Sequence, residues 1–525
     1  MSNIPPAIEV TSENGKSSFP PPPAAAQRSS SFHSPTAVQY NPLPQNAPGA
    51  SAAKGHTLEN SIPLSIFPVS PDRFCIAFCG LPGRGKTQIA RRLGRYLDFF
   101  HAIPVQVYSI ADYRRRLYNK LIDADWFDPS NFEAKSTRQE CVQAALKDMA
   151  SFLAQNSNGI AIFDSINETH EQRQEVALAA RANGAKIMWI EVINDDEEFL
   201  CQQYLQYSLN LPDYIGVDNE QAHRDYLKRV EILRSRYETL DDGKYSIETR
   251  WAYMKCDHAK QHFVIHDVKG YLFQKVVNFI MNLRTTRHSF YLTRHGQSEY
   301  NDLGRIGGDS GLTVHGLNYA QKLAEFVDKN IVKNEKGEDV PARLWTSTMR
   351  RTRETAQFIQ QNKLIVKSKH DPTLGYEWVQ MRPKAWHHLD ELFAGACDGM
   401  TYEEIEEKFP DEWELRSIDK LAYRYPRGES YLDVIARLEP IIIEMERHQE
   451  PLVIIGHQGI LRIIYAFYMG LSRPDAPYVS IPLNTVIELV PAAYTCKESR
   501  YLLYSPKKAL KHDGQTEKED DPQSH

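Results

Sequence analysis

At 525 residues, with 42% apolar and 25% charged residues, the chain is too long for one ordinary core and predicts two domains with loose ends. A formal net charge of −6 argues against non-specific nucleic-acid binding, and no apolar run approaches the roughly 18 residues that span a bilayer. The seven cysteines are scattered, with no Cys-x-x-Cys pair and no basic-then-apolar signal pattern at the start, so a reducing, cytoplasmic setting is expected, with neither a disulfide framework nor a zinc site.

Residues 1–70 are rich in Pro, Ser, Ala and Asn, including Pro20-Pro21-Pro22-Pro23. With so little to bury, this stretch is expected to be disordered. Arg28-Ser29-Ser30-Ser31 within it has the form of a kinase target, although a basic residue near serines in a loose tail is common. From Phe74 onward, short apolar strands alternate with amphipathic helices, which predicts an α/β domain with a parallel sheet over 71–286. Strands are expected over 74–79, 160–163 and 187–193, and a helix over about 271–283 closes this domain. Thr285-Thr286-Arg287-His288 reads as a polar joint, and a strand over 290–293 opens a second α/β domain, 287–504. The last stretch, 505–525, carries Lys507-Lys508 and Glu517-Lys518-Glu519-Asp520-Asp521 and reads as a solvated tail.

Within the first domain, Gly80-Leu81-Pro82-Gly83-Arg84-Gly85-Lys86-Thr87 fits G-x-x-x-x-G-K-[ST] at every fixed position. It follows a predicted strand and opens a predicted helix, the context that gives this motif its meaning. Glycines there let backbone N–H groups turn inward around phosphate oxygens, helped by the helix N-terminus. Lys86 would neutralise β and γ phosphates and Thr87 would ligate Mg²⁺, so ATP and Mg²⁺ are the expected cofactors. Asp164, ending the predicted strand at 160–163, suits a metal-coordinating carboxylate, although an acidic residue ending a strand is common.

The second domain places two histidines at strand ends, His295 in Leu292-Thr293-Arg294-His295-Gly296 and His457 in Ile454-Ile455-Gly456-His457-Gln458. One imidazole can take a phosphoryl group as nucleophile while a second beside it holds charge. Arg294 and Arg351 are candidates for the same phosphoryl group, because a planar guanidinium binds phosphate oxygens bidentately and stays charged. Glu391 is a candidate general acid, though a lone Glu in an acidic stretch is more often a solvated charge. Tyr402, Arg416, Lys420 and Arg424 could clamp a second anionic group, though such a run is usually a solvated helix face.

The order of these motifs resembles the bifunctional 6-phosphofructo-2-kinase/fructose-2,6-bisphosphatase family over about 74–501. Gly80 to Thr87 is similar to its GLPARGKT loop, Tyr113-Arg114-Arg115 to its YRR, and Leu211-Pro212-Asp213-Tyr214 to its SPDY. Ile306-Gly307-Gly308-Asp309, Met400-Thr401-Tyr402-Glu403-Glu404-Ile405 and Tyr425-Pro426-Arg427-Gly428-Glu429-Ser430 fit further family signatures. The resemblance implies a P-loop kinase domain followed by a histidine phosphatase domain of the phosphoglycerate mutase type. It implies fructose 2,6-bisphosphate, fructose 6-phosphate and ATP as ligands, with no nucleic acid or membrane. It implies that His295 carries a transient phosphoryl group and His457 stabilises it. Arg294, Asn301 and Arg351 would hold the 2-phosphate, Gly307 is a further substrate-binding position, and Glu391 would protonate the leaving O2. Tyr402, Arg416, Lys420 and Arg424 correspond to the clamp for the sugar and 6-phosphate, joined by Gln458 and Arg462. Arg114, Arg115, Arg138 and Arg229 would be the basic contacts of the kinase sugar site. Oligomeric state is left open, a homodimer included.

Departures from the family concentrate in the first domain. Where the family reads D-A-T-N-x-T-R-x-R-R, this chain reads Asp164-Ser165-Ile166-Asn167-Glu168-Thr169-His170-Glu171-Gln172-Arg173, so a sugar-contacting Thr and Arg become Ile166 and Gln172. An expected Lys is Ser208 and an expected Tyr is Leu233. Losing one charge-assisted phosphate contact costs about 1.5–3 kcal/mol, and two losses would weaken the sugar site by about two to four orders of magnitude. The expectation is a competent phosphatase beside a weak or lost kinase, the alternative being a fully bifunctional enzyme. In the second domain Gln297 and Phe393 depart from the family's Glu and Asp, and about a dozen extra residues fall between Ala356 and His388. A nucleotide-sensing module with an inert second domain, or a phosphoglycerate mutase, would share parts of the pattern; the intact His295, His457 and Arg351 set speaks against the first, the P-loop domain and the Tyr402–Arg424 cluster against the second.

Overall fold

Strand–helix alternation resolves into two sheets in the computed structural model, which describes residues 8–10 and 72–506 apart from 119–122, 197–199, 202, 206–210, 242, 244–245, 285–287, 335, 368–373 and 493–494. The strands are β1 (Ile8–Val10), β2 (Arg73–Cys79), β3 (Val105–Ser109), β4 (Ile160–Asp164), β5 (Ala185–Ile193), β6 (Ala252–Asp257), β7 (His262–His266) and β8 (Phe290–Arg294). They continue with β9 (Arg343–Thr346), β10 (Lys363–Lys367), β11 (Gly375–Val379), β12 (Pro383–Ala385), β13 (Leu452–Gly456), β14 (Thr485–Pro491) and β15 (Cys496–Leu502).

The first sheet runs β3-β4-β2-β5-β6-β7, parallel throughout except for β7. β2 reads as a continuous apolar run because helices cover both its faces. Phe74, Ile76 and Phe78 enter one core with Ile89 and Leu93, while Cys75, Ala77 and Cys79 enter another with Met149 and Trp189. The second sheet runs β1-β15-β14-β8-β13-β9-β12. Its centre, β8-β13-β9-β12, is parallel, but β14 and β15 return antiparallel, so this sheet is mixed.

One feature differs from the sequence reading, and a second fills a segment that reading left open. Ile8–Val10, inside the tail expected to lack structure, pairs antiparallel with β15 and covers what would otherwise be that sheet's edge. Part of the extra segment after Ala356 forms a separate two-stranded ribbon of β10 and β11. The Arg28–Ser31 motif, Ser208, most of the joint and nearly all of the acidic tail lie outside the described residues. Among the described residues, no helix is long and apolar enough to cross a membrane.

The halves share one core. Helix Lys86–His101, which starts at the phosphate loop, packs Phe100 against Phe467 with ring centroids 5.2 Å apart. Arg92 pairs with Glu446 at 3.1 Å. Glu439 accepts from the Tyr96 hydroxyl at 2.5 Å and from Lys275 at 2.7 Å.

Candidate active sites

The phosphate loop leaves the central strand β2 beside β4, so Phe78 lies opposite Asp164. At Gly80, φ is +130° and a Cβ would lie 2.5 Å from the Val192 carbonyl oxygen, which restricts the position to glycine. Lys86 is buried and donates to the Leu81 carbonyl at 2.8 Å; burial pushes its pKa down to about 8. The Thr87 hydroxyl donates to Asp164 Oδ2 at 2.8 Å, and burial pushes the Asp164 carboxyl up. A hydroxyl and a carboxylate are hard oxygen donors of the kind Mg²⁺ takes while keeping waters and nucleotide phosphates, so this pair fits the ion.

Beyond the loop the same cavity is lined by Arg114, Arg115 and Arg229, together with Trp126, Phe127 and Ile166. All three arginines converge on Asp213: Arg115 at 3.1 Å, Arg229 at 3.7 Å, and Arg114 in direct contact. Burial raises the Asp213 carboxyl, but the arginines outweigh it and hold it below the usual carboxylate range. Gln172 does not reach this cavity. Its Oε1 accepts from the Glu168 amide at 2.9 Å and its Nε2 donates to Glu168 Oε1 at 3.3 Å.

The second cavity opens at the C-terminal ends of β8 and β13, a parallel pair in which Gly456 lies opposite Arg294. That register sets His295 and His457 side by side, ring centroids 5.1 Å apart, in the crevice where open α/β sheets bind ligands. His295 Nδ1 lies 2.7 Å from the Gly296 carbonyl. Facing a carbonyl, Nδ1 must carry the ring proton, which leaves Nε2 with the lone pair of a nucleophile. Burial, then Arg351 and Arg294, hold the His295 pKa well below its usual range, so the ring is neutral at neutral pH. His457 is likewise held low by burial and by Arg351. It stands behind His295, with Nε2 2.7 Å from Ser347 Oγ and Nδ1 buried without a partner among the described residues. Ser347 Oγ is in turn 2.8 Å from Thr352 Oγ1.

Around His295 the wall carries Arg294, Arg351, Asn301 and Gly307. Asn301 Oδ1 accepts from the Ser298 amide and hydroxyl at 3.1 and 3.0 Å, leaving its NH₂ as the group it can offer to an anion. Glu391 is the one carboxylate among the lining residues; it accepts from the Leu392 amide at 2.9 Å and the Gly459 amide at 3.4 Å. Arg416, Lys420 and Arg462 complete the cationic wall with Tyr402 and Gln458. Arg416 donates to the Tyr425 hydroxyl at 2.9 Å and the Tyr402 hydroxyl at 3.4 Å. Burial, then Arg462 and Arg416, push Lys420 down to about 7.

Two family models match the chain in this order: 6-phosphofructo-2-kinase over residues 65–287 and the histidine phosphatase superfamily (branch 1) over residues 290–501. The 6-phosphofructo-2-kinase/fructose-2,6-bisphosphatase of Aquarana catesbeiana is 38% identical over 429 residues, 81% of this chain and 84% of that protein. The human 6-phosphofructo-2-kinase/fructose-2,6-bisphosphatase 1 is 38% identical over 428 residues, with the same two shares. The chain belongs to the bifunctional 6-phosphofructo-2-kinase/fructose-2,6-bisphosphatase family. A solved putative alpha-ribazole-5'-P phosphatase from Escherichia coli is 17% identical with a TM-score of 0.33, covering 42% of this chain and 97% of that one.

Most of the residues singled out by sequence line the two cavities; Gly80 lies beneath the loop and His457 beside His295 without reaching a cavity wall, and three others are turned to different partners. Arg424 is turned outward to Asp433, which captures its guanidinium at the surface. Arg138 donates to the Trp126 carbonyl, and Arg84 donates to the Tyr204 hydroxyl at 2.7 Å, so neither side chain is at a cavity wall. Sequence reasoning missed Asp213 as an anchor, Ser347 behind His457, and Tyr300, Arg305 and Tyr431 in the wall. Asp213 lay inside a quoted motif; Ser347 carried no signal, because a serine directly after a strand is ordinary.

Proposed function

We propose that this chain hydrolyses the 2-phosphate of fructose 2,6-bisphosphate through a phosphohistidine at His295. One observation carries the reading: a neutral, tautomerically fixed His295 beside a second buried histidine, on the floor of a cavity whose wall holds two groups of cations. Arg294, Arg351 and Asn301 bind the 2-phosphate. Arg416, Lys420, Arg462, Tyr402 and Gln458 bind the sugar and its 6-phosphate. Nε2 of His295 attacks phosphorus, the P–O2 bond breaks, and Glu391 delivers the proton to the leaving oxygen. His457 and the arginines hold the charge on the transferring group. Water then attacks phosphorus, giving its proton to the Glu391 carboxylate, the P–N bond breaks to free His295, and fructose 6-phosphate and inorganic phosphate are the products.

The kinase half is proposed to bind ATP with Mg²⁺ at Thr87 and Asp164 and to phosphorylate fructose 6-phosphate weakly or not at all. Apolar Ile166 faces the cavity, and its three arginines are already engaged by Asp213. The family pattern favours a second reading, a fully bifunctional enzyme, supported by the intact phosphate loop. Both readings make the level of fructose 2,6-bisphosphate, and so the balance of glycolysis and gluconeogenesis, the quantity controlled, in the cytoplasm. Kinase and phosphatase domains are proposed to meet near residue 286.

The decisive experiment measures both activities on one preparation, with [γ-³²P]ATP plus fructose 6-phosphate and with [2-³²P]fructose 2,6-bisphosphate. Acid-labile, base-stable label trapped on the wild type should vanish in His295→Ala; label persisting there refutes the nucleophile. A kinase rate equal to the phosphatase rate establishes the bifunctional reading.

A further inference from the structure

A third set of cations lies outside both active sites. Helix Lys86–His101 carries Arg91, Arg92 and Arg95, and all three line a small cavity in the seam between the two halves, closed on its far side by Glu446, Thr495 and Cys496. Arg91 turns outward to Asp112 at 3.0 Å. Arg92 and Arg95, three apart on one helix face, remain in the seam with a single lining carboxylate, Glu446. Glu446 pairs with Arg92 Nη1 at 3.1 Å, and the same nitrogen donates to the Arg284 carbonyl at 3.0 Å. Arg92 is only 7% exposed, yet its Nη2 is buried with no partner among the described residues. Arg95 Nη1 donates to the Tyr468 carbonyl at 2.8 Å and the residue makes no ion pair among the described residues.

Two guanidiniums against one carboxylate leave this seam with excess positive charge away from bulk water. Such charge is costly unless balanced, and a buried donor left unpaired marks an absent water or ion. Planar N–H forks match tetrahedral oxyanions. We propose that the seam cavity is a binding site for a phosphate-class oxyanion, held by Arg92 and Arg95, either inorganic phosphate or the phosphate group of a metabolite. The anion joins the helix that begins at the phosphate loop to helix Gln458–Met469, which follows His457 and contributes Phe467 and Tyr468 to the cavity wall. It is distinct from both active sites, and its existence does not depend on which reactions they run.

The test uses the full chain and selenate as an anomalous phosphate mimic. Crystals soaked in selenate should show anomalous density between Arg92 and Arg95, with the phosphatase cavity at His295 as the internal control for occupancy. Density at that control but only water in the seam overturns the proposal. In solution, the rise of the unfolding temperature with sulfate at constant ionic strength is compared between wild type and Arg95→Gln. Because Arg95 touches neither active site, their contributions cancel, and the half-maximal sulfate concentration in the seam-dependent part should rise about tenfold, as expected for one lost charge-assisted contact. Seam density together with an identical sulfate response in both proteins means an adventitious ion only and also overturns it. Replacing sulfate by inorganic phosphate and by glycerol phosphate separates the two sources: a response to phosphate alone assigns the free ion, a response to both a phosphorylated metabolite. Should Arg95→Gln fail to fold, Arg92→Lys keeps the pair with Glu446 while removing the second guanidinium nitrogen, and the same loss is expected.

Discussion

Lys420 is the cavity cation whose charge changes within the working pH range. Burial and the neighbouring Arg462 and Arg416 hold its pKa at about 7 in the free protein. A 6-phosphate needs the ammonium, so below pH 7 the site is ready, and above pH 7 binding must first draw a proton from solution. Each pH unit above 7 therefore weakens binding by about tenfold, about 1.4 kcal/mol, until the raised pKa of the complex is passed. The substrate's own phosphates titrate near about pH 6, and both active-site imidazoles titrate well below their usual range. KM for fructose 2,6-bisphosphate should thus rise as pH climbs from about 7 to about 8.5, and is read separately from kcat. Steady-state phosphate release over that window measures both. Lys420→Arg should flatten the KM profile, and Lys420→Met should raise KM to a level independent of pH. A wild-type KM that does not move, or a slope that survives in Lys420→Arg, refutes the assignment of the titrating group.

Ser347→Ala removes the partner of His457 Nε2 and should lower phosphatase kcat roughly 10- to 100-fold with little change in KM, as expected for a mis-set catalytic group; imidazole ¹⁵N shifts that report an unchanged tautomer would count against this role. Gly307 has φ +70°, and an added Cβ would lie 1.7 Å from Asp398 Oδ1. Gly307→Ala should cost about 1–3 kcal/mol in thermal unfolding together with most of the activity, and a fully active, equally stable variant would show that the loop yields freely. Burial raises the Glu439 carboxyl, but His101 at 3.6 Å and the hydrogen bonds from Lys275 and Tyr96 outweigh it and bring it from 4.5 to about 2. A depressed carboxylate stabilises above its unfolded pKa, so this contribution, about 3 kcal/mol, should be present at pH 6 and drain away as pH falls from 4.5 toward 2. Urea unfolding of Glu439→Gln should lack that part of the acid loss; an identical acid profile would contradict it.

Much of this protein was legible in the linear chain, because its strongest signals are local. The phosphate loop is a strand, a glycine turn and a helix start in direct succession. His295 follows an apolar run whose composition already makes it a buried strand. What the sequence could not supply was distance between separate segments. That His457 stands beside His295 follows from the β8–β13 register, and β14 and β15 turn the second sheet from parallel to mixed. Arg424 has the residue type of a clamp member, but Asp433 on the next helix captures it; Arg84 and Arg138 are diverted in the same way by Tyr204 and a Trp126 carbonyl. Gln172 marks a departure in the motif, yet it folds back on Glu168 while Ile166 alone of that pair faces the cavity. A guanidinium takes whichever acceptor packing brings within about 3 Å, and packing is set by long-range contacts. The sequence by itself determined the family and the order of its two domains; only the tertiary structure decided which arginines line their cavities, and left two in the seam between.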